Sequence, residues 1–150
     1  MGGFSGSASA EIEAPLDAVY AIVSDIAGYV TWQPGLDAAT VLERDRWGRQ
    51  TLVRIEMTRG GRPVRSDLRF SYEPGALVRW QQERGDVSRF DGEWTLERVR
   101  RGVVLATYSI ELDLGRLMGL MMSGRLASKL SERFIDPMPV RLSEHVRSGT

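Results

Sequence analysis

From Ser7 to Glu13 the chain alternates: Ala8, Ala10 and Ile12 stand against Ser7, Ser9, Glu11 and Glu13. A period of two is that of a half-buried strand, and Pro15 ends it. The spacing then changes, with Leu16, Val19, Tyr20 and Val23 at helical intervals behind the proline, which predicts a short helix. Asp25 is a candidate N-cap for a second short helix that breaks at Pro34-Gly35.

From Leu36 onward, turn signals recur at hairpin spacing: "RWGR" at 46–49, "RGGR" at 59–62, "EPGA" at 73–76, "ERGD" at 83–86 and "RRG" at 100–102. Six further strands are predicted. Alternation assigns one face to Val53, Ile55, Met57, Val64, Ser66, Leu68, Phe70 and Tyr72, and continues it through Val78, Trp80, Gln82, Ser88, Phe90, Gly92, Trp94 and Leu96 to Val104, Ala106, Tyr108, Ile110 and Leu112. The other face takes Arg54, Glu56, Arg65, Asp67, Arg69, Arg79, Glu83, Arg89, Asp91 and Glu93. Such a sheet is antiparallel, wet on one side, and needs an apolar cover on the other.

The cover is sought in a helix from Leu114 to Asp136. At 100° per residue its sheet-facing stripe is Leu117, Leu120, Met121, Gly124, Ala127, Ser128, Ser131, Phe134 and Ile135. The middle of the stripe is small, opposite Ser66, Ser88, Gly92 and Ala106. Small residues either let a helix lie close on a sheet or leave volume beneath it, and methionines suit a pliable cavity wall. The cavity is the reading favoured. Pro137 and Pro139 end the helix near Asp136 and leave Val140, Leu142 and Val146 to a short separate helix. Met118, Met122, Leu126 and Leu130 point away from the stripe, and either cover a loop or form a partner surface such as that of a homodimer.

Length and charge narrow the function. At 150 residues and 42% hydrophobic, the chain suits a single domain over 1–150 that buries roughly 70% of its unfolded surface. Twenty basic and twenty acidic residues balance, which argues against nucleic acid and anionic surfaces as partners. There is no cysteine for disulfides, thiol chemistry or Cys-ligated metal. "MGGFSGSA" lacks the basic and apolar regions of a secretory signal, and charges interrupt the 114–130 stretch short of a bilayer span, so a cytoplasmic protein without membrane insertion is expected.

The order of elements, together with "AEIEAPLDAVYAIVSDIAGYVTWQPG" and within it "IEAP", "VSDIAGY" and "WQPG", resembles the START/Bet v 1-like (SRPBCC) superfamily and its polyketide cyclase/dehydrase branch. The resemblance covers nearly the whole chain. It implies an α+β helix-grip fold: a seven-stranded curved antiparallel sheet wrapped around a long C-terminal helix, with two short helices after the first strand and a hydrophobic tunnel between sheet and helix. For the aromatase/cyclases it also implies a tyrosine after the second helix, and an arginine beside a hydroxyl on the strand after the second meander turn. Here Leu36 takes the tyrosine's place, and alternation points Arg69 to solvent.

No nucleophile motif, phosphate loop or metal spacing is present, so no catalytic residue, metal or cofactor is assigned. His145 is the sole histidine and stands among charges near the C-terminus; Asp67, Asp91 and Glu93 read as cross-strand partners of arginines. The expected function is binding or transport of a small hydrophobic, lipid- or polyketide-like ligand. Its expected lining is Trp32, Ser66, Phe70, Tyr72, Trp80, Gln82, Phe90, Trp94, Tyr108, Leu117, Met121, Gly124 and Ser128, with Trp32 and Pro34 at the tunnel mouth. The inward hydroxyls and amide are satisfied either by one another and water or by the ligand. The alternatives are a polyketide aromatase/cyclase and a protein-interaction module of the same fold.

Overall fold

The computed structural model describes residues 3–59, 62–115, 129 and 131–149. Seven strands form one antiparallel sheet: β1 (Gly3–Glu13), β2 (Ala38–Arg44), β3 (Gln50–Arg59), β4 (Arg62–Glu73), β5 (Leu77–Gly85), β6 (Arg89–Arg100) and β7 (Val103–Asp113). Their spatial order is β1-β7-β6-β5-β4-β3-β2, so a meander is closed at one edge by the first strand. β1 begins four residues before the alternating segment because Gly3 to Ser7 pair with Asp113 to Ser109 of β7. The pairing partner, not the local pattern, sets that boundary.

Helix α1 (Leu16–Val23) follows Pro15, which stands in extended conformation at the N-cap, and buries Val19 and Val23. The segment after it is a 3-10 helix, Ile26–Thr31, and Asp25 gives it no side-chain cap. The Asp25 carboxylate instead accepts the Gln50 side-chain amide at 2.9 Å. Tyr29, on the same segment, donates its hydroxyl to the Val23 carbonyl and so closes the end of α1.

The expected break near Asp136 is present. Residues 131–134 are helical, Ile135 and Asp136 form a turn, and α2 (Pro137–Ser148) starts on a proline, where a missing N–H costs nothing. α2 buries Met138, Pro139, Leu142 and Val146 and packs on β1, β7 and α1, while Val140 is exposed. Ile135 is fully buried; its Cδ1 lies 2.9 Å from where a Cβ of Gly6 would stand. The stripe from Leu117 to Ser128 lies outside the described residues.

One apolar core results. It gathers Ile12, Val19, Val23, Ile26, Val53, Leu68, Val78, Leu96, Val104 and Ile110 with the inward aromatic rings. The opposite face is laced by ion pairs, among them Arg54–Asp67, Arg65–Glu56, Arg79–Glu93 and Arg89–Glu111. The meander is irregular in several places: the β2–β3 register shifts around Glu43, the β6–β7 register shifts between Arg98 and Arg100, and two further features lie nearer the ring run. The β4–β5 register shifts between Asp67 and Leu68, and β5–β6 pairing runs only from Leu77–Thr95 to Trp80–Gly92.

Candidate functional site

The inward positions of β4 to β7 place aromatic side chains next to one another across strands, where rings pack edge-on or tilted. Trp32 meets Trp94 at 6.1 Å between ring centres, Trp94 meets Tyr108 at 4.9 Å, and Tyr108 meets Trp80 at 5.9 Å. Trp80 continues to Phe70 at 5.8 Å and Phe90 at 5.9 Å, and Phe70 to Tyr72 at 6.5 Å. Seven residues expected from sequence to line the site therefore form one continuous run of rings on the inner face.

Trp32 does not project into solvent. It is buried in the core, against Tyr29 at 5.1 Å and stacked on His145 of α2 at 6.1 Å. Nor does Gly92 leave a void, because the Trp80 indole lies over it. Ser88, expected inside, is exposed in the bend before β6. Leu117, Met121, Gly124 and Ser128 lie outside the described residues.

The inward polar groups divide into two sets. Ser66 donates its hydroxyl to the Gln82 side-chain oxygen at 2.5 Å, and the Gln82 amide donates to the Val87 carbonyl at 2.9 Å. Tyr72 donates its hydroxyl to the Gln50 carbonyl. These three are satisfied internally. By contrast, the indole N–H groups of Trp80 and Trp94 are buried with no hydrogen-bond partner among the described residues. Their neighbour Tyr108 shows no hydroxyl hydrogen bond among the described residues. An unpaired buried donor costs about 1–3 kcal/mol.

Among the described residues of β4 to β7, the ring run is lined by no charged side chain. Burial raises the Tyr108 phenol above its ordinary pKa; at Tyr72, burial and then the nearby Tyr20 raise it, against the pull of Arg49. Both phenols stay protonated at neutral pH. Arg69 lies on the outer face, paired to Glu43 and to Glu83 at 3.0 Å each. Among the described residues no group of three His, Cys, Asp or Glu side chains is placed to hold a metal ion, and no helix is long and apolar enough to cross a membrane.

Sequence reasoning missed a cleft away from the inner face. A cleft of about 400 Å³ lies between α1 and the β2–β3 turn, lined by Tyr20, Ser24, Asp25, Trp47, Arg49 and Tyr72 with Gly48, Gln50 and Pro74. The turn is built by Asp45, whose carboxylate accepts the N–H groups of Trp47 at 2.9 Å and Arg49 at 3.0 Å. Gly48 takes the left-handed conformation at φ 83°. The only signal for it was the turn motif, which says nothing of what the turn faces.

Known proteins agree with this architecture. A START superfamily protein from Mycobacterium smegmatis superposes with a TM-score of 0.84 at 18% identity, over 97% of this chain and 99% of that one. A protein from Thermus thermophilus gives 0.80 at 20% identity, over 98% and 99%. The Zhui aromatase/cyclase from Streptomyces sp. R1128 gives 0.72 at 17% identity, over 98% and 93%. Identities this low show a shared helix-grip α+β fold alone. No curated protein sequence matches the chain. The sequence pattern of one family does match, over residues 12–138. The chain belongs to the family described as polyketide cyclase/dehydrase and lipid transport.

Proposed function

We propose that the protein binds a small, mainly hydrophobic molecule against the inner aromatic face, and that the molecule carries an oxygen acceptor. The observation behind this reading is the pair of buried indole N–H groups, Trp80 and Trp94, that lack partners among the described residues on a face where Ser66, Gln82 and Tyr72 are satisfied. A carbonyl or ether oxygen lodged there removes the cost of an orphaned donor, and the surrounding rings provide apolar contact. The family description includes both enzymes and lipid carriers. Binding without turnover is preferred because Tyr72 and Tyr108, the titratable groups described within the ring run, are phenols held protonated by burial that do not accept a proton at neutral pH, while the His145 imidazole meets the run at Trp32, at its far end. Arg69, the cation an aromatase/cyclase reading would recruit, is committed to Glu43 and Glu83 outside.

Native mass spectrometry of the freshly purified protein, set against its denatured mass, tests for a retained small molecule. Titration with 2-acetylnaphthalene and with 2-ethylnaphthalene, a hydrocarbon of similar shape, then tests the acceptor. Trp94→Phe or Trp80→Phe is expected to weaken ketone binding about threefold to tenfold while sparing the hydrocarbon. Failure of both probes to bind, or equal loss of both in the variants, would overturn the reading.

A further inference from the structure

The cleft beside the β2–β3 turn has features of a binding site separate from the inner face. Trp47 is 65% exposed, the most exposed of the large hydrophobic residues described. Its ring is flanked by two guanidinium groups, Arg46 at 4.2 Å and Arg49 at 4.9 Å from the ring centre. Arg49 also stands 5.6 Å from the Tyr72 ring. Its Nε is anchored to the Asp45 carboxylate at 2.6 Å, which fixes the plane of the guanidinium. Both of its Nη groups have no acceptor among the described residues, and neither does the Tyr20 hydroxyl. An arginine held by Nε, with its Nη edge free, is oriented to take a carboxylate through paired hydrogen bonds.

Arg49 and Asp25 are the charged residues of the cleft lining, and Arg44 and Arg46 stand on the adjoining turn. Asp25 lines the cleft, but one of its oxygens is taken by the Gln50 amide at 2.9 Å and the other is turned toward Gly28. The indole, 65% exposed although two guanidinium groups lie over its ring, offers apolar contact beside the cation.

We propose that this cleft binds a planar aromatic acid, its ring on Trp47 and its carboxylate on the Nη groups of Arg49 with the Tyr20 hydroxyl as a third donor. The site is independent of the inner aromatic face; Tyr72 is the wall between them, its hydroxyl fixed on Gln50.

The test uses the full chain, 2-naphthoate, and its neutral counterpart 2-naphthamide, with the four tryptophan indole N–H signals followed by NMR. The acid is expected to shift the Trp47 signal and to bind about tenfold or more tighter than the amide. Arg49→Gln is expected to bring the acid down to the amide's affinity. Because that substitution also removes the anchor to Asp45, Trp47→Ala at the exposed position provides a second variant, expected to weaken both probes. Equal affinity of acid and amide would overturn the proposal, as would unchanged acid binding in both variants. So would shifts confined to Trp80 and Trp94, which would place the acid on the inner face.

Discussion

The Trp80 indole lies across Gly92 of the neighbouring strand: a Cβ at Gly92 would stand 2.8 Å from Trp80 Cε2 and 2.7 Å from the Ser109 carbonyl oxygen. Neither distance is tolerated by real side chains, and the carbonyl belongs to the β7 backbone, which cannot swing aside. Gly92→Ala is therefore expected to displace the indole and lower stability by about 1–3 kcal/mol. Urea unfolding measures it; an unchanged midpoint would mean that the two residues do not pack in this way.

Arg69 tests the other face. Its side chain is 40% exposed, in ion pairs with Glu43 and Glu83. Exposed pairs contribute about 0–1 kcal/mol each, so Arg69→Ala should shift stability only slightly and leave probe affinity on the inner face unchanged. Loss of ligand affinity, or of a cyclisation activity, would contradict the outward placement.

Acid sensitivity should originate in part at Asp67. The carboxylate is buried on the outer face and accepts hydrogen bonds from Arg54 at 2.8 and 3.1 Å. Those bonds hold its pKa below the ordinary value against the opposing effect of burial, with the charges of Arg54, Arg84 and Arg65 assisting. A pKa lowered by folding stabilises the native state above the unfolded value, about 3.9, and that contribution disappears as pH falls through the lower folded value. Thermal melts from about pH 5 to about pH 2 should show Asp67→Asn with a flatter acid limb than the parent. Parallel limbs would place the sensitivity elsewhere.

Tyr29 joins α1 to the 3-10 segment through its hydroxyl on the Val23 carbonyl, inside the core. Tyr29→Phe keeps the ring against Trp32 and strands the carbonyl, a loss expected at about 1–3 kcal/mol. Chemical denaturation reads it directly, and a neutral result would mean that water or a shifted helix end satisfies Val23.

Strand alternation made most of the inner face legible. Phe70, Trp80, Phe90, Trp94 and Tyr108 lie inside because each sits in a strand whose neighbours keep the period of two, and Arg69 lies outside by the same parity. Where partners rather than periods decide, the sequence was silent. The link from Ser66 to Gln82 accompanies the register shift at Asp67/Leu68, and one extra residue in a strand leaves no local mark. Ser88 follows the parity of β6 but precedes its first paired residue, so it is exposed. Trp32 follows the 3-10 segment with no period to assign it, and its contacts with Tyr29, Trp94 and His145 reveal a core role. Arg49 read as one residue of a turn; the cleft it faces is made by α1 and Tyr72, distant in the chain.

A sheet is only as stiff as its shortest seam, and here that seam lies near the middle. Beyond Trp80 and Gly92 the hydrogen-bond ladder between β5 and β6 stops, while β4–β5 pairing continues to Gly85 and β6–β7 pairing to Arg89. The Asp91 carboxylate on the Gln82 N–H, at 3.1 Å, bridges the gap. The sheet thus consists of two leaves, β2 to β5 and β6 to β1, hinged where Trp80 sits. If the ring run takes the guest proposed above, one too wide for it is expected to strain the leaves apart at that seam before it disturbs either leaf, because a side-chain latch opens more readily than a backbone ladder.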